Sequence, residues 1–115
     1  MKFEDLEVWQ RAVRLSTEMY KQTQTLKDFG FKDQITRSTL SVPSNIAEGF
    51  ERESNKETLN FLNYAKASCG ELRTQLIIGQ EVPFLSNEFC EWALAETKEI
   101  SAMIHSLIKT RRKFN

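Results

Sequence analysis

The sequence predicts an all-α protein, an antiparallel up-and-down four-helix bundle formed by a single domain over residues 1–115. Three observations predict it. Apolar residues recur at spacings of three and four, most plainly at Leu62, Ala65, Cys69, Leu72, Leu76 and Gly79, which is the seam of left-handed helix packing. Short turn and cap signals separate the periodic stretches, as antiparallel neighbours require. No stretch alternates polar and apolar residues as a strand would. A chain of 115 residues is long enough to bury a core, though with little surplus.

The first helix is expected from about Leu6 to Leu26, with Asp5 as its N-cap. Its apolar residues Leu6, Val8, Trp9, Ala12, Val13, Leu15, Met19, Tyr20 and Leu26 spread over roughly half the circumference, against the ~100° stripe that one bundle contact needs. Either a second surface covers the surplus or the helix is well buried within its own bundle. Arg11, Arg14 and Lys21 share the opposite arc with Glu7 and Glu18, at spacings that neutralise charge locally on a solvated face. Asp28-Phe29-Gly30 is read as the turn, Gly30 supplying a left-handed cap.

The second helix is expected from about Phe31 to Gly49, kinked at Pro43. Ile35, Thr39, Val42, Ile46 and Phe50 keep helical spacing through the proline. A proline inside a helix removes one backbone hydrogen bond and costs about 3 kcal/mol unless something compensates. Ser41 and Ser44 flank it with hydroxyls for the freed carbonyls, and Gly49 is read as the closing residue. The alternative is a helix ending near Leu40, followed by a loop.

Ser54-Asn55-Lys56-Glu57 reads as a capping box opening the third helix. Ala65, Ala67, Ser68, Cys69 and Gly70 would let a neighbour approach closely, and Gly70 in mid-helix costs around 1 kcal/mol that such contact would offset. After the loop Glu81-Val82-Pro83-Phe84-Leu85, Ser86 caps the fourth helix, with Leu85 and Cys90 placed as a hydrophobic staple. Phe89, Ala93, Ile100, Met103, Ile104 and Leu107 form its inner stripe. Glu88 and Glu91 at its start and Lys109, Arg111, Arg112 and Lys113 at its end suit the helix dipole.

Three blocks of this sequence resemble a known family. Ser41-Val42-Pro43-Ser44-Asn45-Ile46-Ala47-Glu48-Gly49 is similar to the signature of the four-helix-bundle proteins encoded in 23S ribosomal RNA intervening sequences. Phe3-Glu4-Asp5-Leu6-Glu7-Val8-Trp9-Gln10 resembles that family's opening, and Phe61 to Leu72 its third helix. Thr36 and Ser38 depart from the pattern, which tends to have Arg and Ala around Arg37. The resemblance implies a helical bundle assembling as a ring-shaped homopentamer. It also implies kinship with the accessory variability determinant of diversity-generating retroelements, which binds nucleic acid.

Chemistry of other kinds finds little support. His105 is the single histidine, so one chain cannot assemble a histidine-based metal site or a His-supported triad. Cys69 and Cys90 lack metal-ligand spacing and are read as buried thiols of a cytoplasmic protein, a disulfide being the alternative. No cofactor is expected. No signal-peptide core follows Met1, and no apolar run approaches a membrane span. Glu48 and Glu71 form a conceivable acid–base pair, but the structural expectation is a buried polar network of Arg37, Asn45, Glu48, Ser68 and Glu71.

Lys plus Arg and Asp plus Glu each total 16, so the chain lacks the overall positive charge of most nucleic-acid binders. The candidate contacts are Arg37, Arg52, Lys56, Lys66 and Arg73, with Lys109, Arg111, Arg112 and Lys113. Repetition around a homo-oligomeric ring would concentrate their charge. The reading from sequence is a non-enzymatic oligomeric binding or adaptor protein that contacts RNA or DNA through phosphates. Its alternative is an oligomeric protein-interaction scaffold without nucleic-acid affinity.

Overall fold

The computed structural model describes residues 2–114. After a 3-10 turn at Phe3–Asp5 come α1 (Glu7–Thr23), α2 (Phe29–Phe50), α3 (Asn55–Glu81) and α4 (Asn87–Arg112), with no strand among the described residues. The helices run up and down in a closed square, each packing on its two neighbours, and the bundle measures 45 × 21 × 19 Å. Contact is most extensive between α2 and α3 and thinnest between α1 and α4. The whole expected α3 seam is buried, and Leu15, Met19, Ile35, Ile46, Leu72, Leu76, Ile100 and Ile104 fill the middle. On α4, Thr97 and Ile108 join the inner stripe, while Met103 and Leu107 are only half-buried.

Local chemistry explains the ends, and it corrects four expectations. Asp5 is not the cap of α1. It belongs to the 3-10 turn, where Leu6 N–H donates to the Phe3 carbonyl (3.0 Å) and the Gln10 side chain donates to the Glu4 carbonyl (2.9 Å). Gly30 is helical rather than left-handed, because Asp28 caps α2 by accepting from Phe31 N–H at 3.0 Å. Gly49 does not close α2 either. It is buried inside the helix, and a Cβ there would stand 3.1 Å from Phe61 Cβ and 3.3 Å from the Thr58 carbonyl oxygen. Its missing side chain is what lets α3 lie close against α2. Gly70, expected to do the same, faces open space, whereas a Cβ at Gly79 would meet the Phe31 ring at 2.7 Å. Ser54 and Ser86 cap α3 and α4 as the sequence suggests, accepting from Glu57 N–H (3.1 Å) and Phe89 N–H (3.2 Å).

α2 runs unbroken through the buried Pro43. The carbonyl deprived of its donor is that of Thr39, four residues back. Its partner comes from another helix: the buried Ser16 hydroxyl of α1 donates to it at 3.2 Å, shared with the Ala12 carbonyl at 2.9 Å. The flanking Ser41 instead donates to the Ser38 carbonyl (2.8 Å) and bonds the Ser68 hydroxyl of α3 (2.6 Å).

Candidate nucleic-acid interface

Antiparallel topology brings the end of α2, the start of α3 and the end of α4 to one end of the bundle. Arg111 is the joint between them. Its guanidinium lies 5.0 Å from the centre of the Phe50 ring and donates to Asn55 Oδ1 at 3.0 Å, while Asn55 Nδ2 donates to the Arg111 carbonyl at 2.9 Å. Around this joint stand Arg52, Lys56, Lys109, Arg112 and Lys113, all exposed. Arg52 pairs with Glu48 one turn earlier and lies over the Phe61 ring at 4.8 Å. Lys56, Lys109, Arg112 and Lys113 have no ion pair among the described residues. Glu51, Glu53 and Glu57 share this end, so its charge excess is moderate.

The remaining candidates lie elsewhere. Lys66 and Arg73 occupy the outer side of α3 toward α4, where Lys66 Nζ donates to His105 Nδ1 at 3.1 Å, an ammonium having only donors to offer. Arg37 is exposed on α2 and pairs with Asp33 at 3.0 Å, so the structure does not bring it to the other cations.

The buried polar network is corrected in membership and depth. Asn45, Ser68 and Glu71 do lie along the α2–α3 seam: Glu71 accepts from the Ser38 hydroxyl at 2.6 Å, and Asn45 Nδ2 donates to the Ser41 carbonyl at 2.8 Å. Glu48 and Arg37 face solvent, each paired within its own helix turn. Ser38 and Ser41 replace them, because short hydroxyls fit a seam that Gly49 draws tight while longer charged chains turn out to water. Glu48 and Glu71 do not form an acid–base pair. Glu71 meets α2 at Ser38, ten residues and about 15 Å along the helix from Glu48.

A second polar contact was hidden in the sequence. Arg11, read there as part of a solvated face, forms a two-pronged bond to Glu96 of α4 (2.9 and 2.7 Å) and also pairs with Glu7 at 3.5 Å. The Glu96 and Arg11 side chains are only 15% and 30% exposed, and the hydrogen bond from Arg11 holds the Glu96 carboxyl below its usual range. Arg14 lies 6.0 Å from the Trp92 ring beside it. Both cysteines are free and buried, and burial pushes the Cys69 thiol up to about 12. Among the described residues no three His, Cys, Asp or Glu side chains gather to hold a metal ion, and no helix is long and apolar enough to cross a membrane.

Residues 4–106 match the 23S rRNA-intervening sequence protein family. No curated protein matches the chain. Among solved structures, a protein of unknown function from the S23 ribosomal protein family of Bacteroides thetaiotaomicron superposes with a TM-score of 0.83 at 25% identity, over 89% of this chain and 98% of its own.

Proposed function

This chain belongs to the 23S rRNA-intervening sequence protein family, and from that premise we propose that it is a non-enzymatic, self-associating protein that holds RNA or DNA by its phosphates. The observation that carries the reading is the gathering of Arg52, Lys56, Lys109, Arg111, Arg112 and Lys113, from three separate parts of the sequence, at one end of a chain with zero formal net charge. Phosphate contacts are sequence-independent and supply most of the affinity of such binders. Self-association multiplies a moderate patch, and the homopentameric ring implied by the family resemblance would repeat it around one axis. Leu40, Tyr64 and Ile78 are exposed on α2 and α3, apolar side chains that a second copy would cover. A cytoplasmic setting belongs to the same reading, and the free buried thiols are compatible with it.

The test is direct binding of a structured RNA at low and moderate salt, with native mass measured on the same sample. The expected result is an oligomer whose affinity falls steeply as salt rises. An oligomer with no binding even at low ionic strength overturns the nucleic-acid reading and leaves a protein scaffold. A monomer overturns the ring.

A further inference from the structure

Along the outer ridge between α3 and α4 the cations are not balanced. On α3, Lys66 and Arg73 are seven residues apart, hence on one side of the helix, with Gly70 between them. On α4, Lys98, His105 and Arg112 repeat at the same interval, and Lys109 follows His105 by one turn. The Lys66–His105 contact at 3.1 Å shows that these two sides adjoin. What distinguishes the ridge is where its acids point. From residue 63 to 77 of α3 the only acid is Glu71, which is turned into the α2 seam and bonded to Ser38. From residue 98 to 112 of α4 the only acid is Glu99, which follows Glu96 by three residues and so stands toward the side of α4 that Glu96 bonds to Arg11 of α1. Within these spans each carboxylate is therefore directed to another side of the bundle, and Glu91, seven residues before Lys98 on the same row, bounds the track at its far end.

We infer that this ridge is a track for the phosphate backbone of a double-stranded nucleic acid. The inference rests on the nucleic-acid reading above and gives it a site and a ligand form. From Lys98 to Arg112 the track is about 21 Å long at 1.5 Å per residue, matching on the order of six phosphates of one strand. Two rows of cations on packed helices, roughly 8–10 Å apart, suit a groove bordered by phosphates better than a single thread. Single-strand binders stack bases on aromatic rings. The ridge offers none: residues 98–112 contain no aromatic other than His105, and Tyr64 repeats at seven with Glu71 on the side of α3 toward α2, away from the ridge. Gly70 leaves bare backbone between Lys66 and Arg73, with nothing within 4 Å of where its Cβ would be. A duplex can approach there without displacing a side chain. At its lower end the track runs through Lys109 and Arg112 into the basic end already described.

Gly70 also makes a selective test possible, since a side chain there disturbs no packing. Gly70→Glu places an acid in the middle of the track, with Gly70→Ala as its matched control. Binding of a short RNA duplex of arbitrary sequence, and of one of its strands alone, would be measured across a salt series, with melting temperature and native mass for each variant. Gly70→Glu is expected to keep the wild-type mass and fold and to lose at least about tenfold in duplex affinity, while Gly70→Ala binds as wild type. The double variant Lys66→Gln, Arg73→Gln is expected to lower the salt slope by about two, roughly one for each phosphate contact removed. The single strand is expected to bind at least about tenfold more weakly than the duplex. If wild type binds and these variants match it, the track is overturned while the general reading stands. If wild type binds nothing, the general reading fails first. Equal binding of the single strand overturns the duplex assignment, and a changed mass for Gly70→Glu assigns the ridge to contact between copies and overturns the track.

Discussion

The α2–α3 seam and the α1–α4 seam join neighbouring helices of the same bundle by opposite means. Between α2 and α3 the helices come close at a buried glycine, and the polar links are hydroxyls: Ser41 to Ser68, Ser38 to Glu71 and Thr58 to the Gly49 carbonyl (2.7 Å). Between α1 and α4 contact is thin, and its polar link is one shielded ion pair, Arg11–Glu96, assisted by Arg14 over Trp92. Shape and mostly neutral hydrogen bonds hold the first seam, so salt is expected to change it little. The second adds a charge pair to its apolar packing, so it is expected to respond to acid. A bundle built this way has one firm pair of helices and one conditional closure.

The comparison breaks most readily at Gly49. Gly49→Val pushes two methyl groups toward Phe61 Cβ and the Thr58 carbonyl, atoms fixed to the α3 backbone, and is expected to lower stability by about 1–3 kcal/mol in denaturant unfolding. Next in size is Glu96→Ala, which takes the two-pronged partner from a partly buried guanidinium, leaving it only exposed Glu7, and is expected to lose about 1–2 kcal/mol at neutral pH. The sign of its pH dependence follows from the direction of the Glu96 shift. Because the folded carboxyl titrates below its unfolded value, the stabilisation is complete above the ordinary carboxylate range and disappears as pH falls through the lower folded value. Wild type should therefore lose more stability than Glu96→Ala between neutral and strongly acidic pH. Equal losses would assign acid sensitivity to some other group.

Gly70→Ala sharpens the contrast from the far side of α3. The same residue type that is indispensable at Gly49 is here exposed in mid-helix with open space around it, and its replacement is expected to raise stability by about 1 kcal/mol. Smallest is Ser41→Ala, which removes the hydroxyl bonded to Ser68 and should cost about 0.5–1 kcal/mol with no change between low and high salt. A salt-dependent loss there would contradict the neutral character given to the seam.

Periodicity made the helices and the α3 seam legible, since burial of one face leaves its spacing in the sequence. Ser54 and Ser86 announced their helices because a cap is a local device. Non-local arrangements were not legible. Arg11 has Glu7 within reach on its own helix, so nothing nearby in sequence indicated a stronger partner 85 residues away. Gly49 and Gly70 are alike as letters, and only the position of Phe61 and Thr58 separates a required glycine from a spare one. The candidate cations could be named, but their grouping depended on which way Glu71 and Glu96 turned. That is decided by the hydroxyl and the guanidinium opposite them.

The Ser16 hydroxyl at the Thr39 carbonyl bears on the order in which the molecule comes together. A peptide of α2 alone would be interrupted at its centre, one rung missing and no side chain of its own supplying it. The rung is restored only when the amino-terminal rod docks, so at Pro43 secondary structure and tertiary contact mature in a single event. Removing the first helix would thus do more than expose a greasy surface: it would take the protein donor from the Thr39 carbonyl and weaken its successor at the proline.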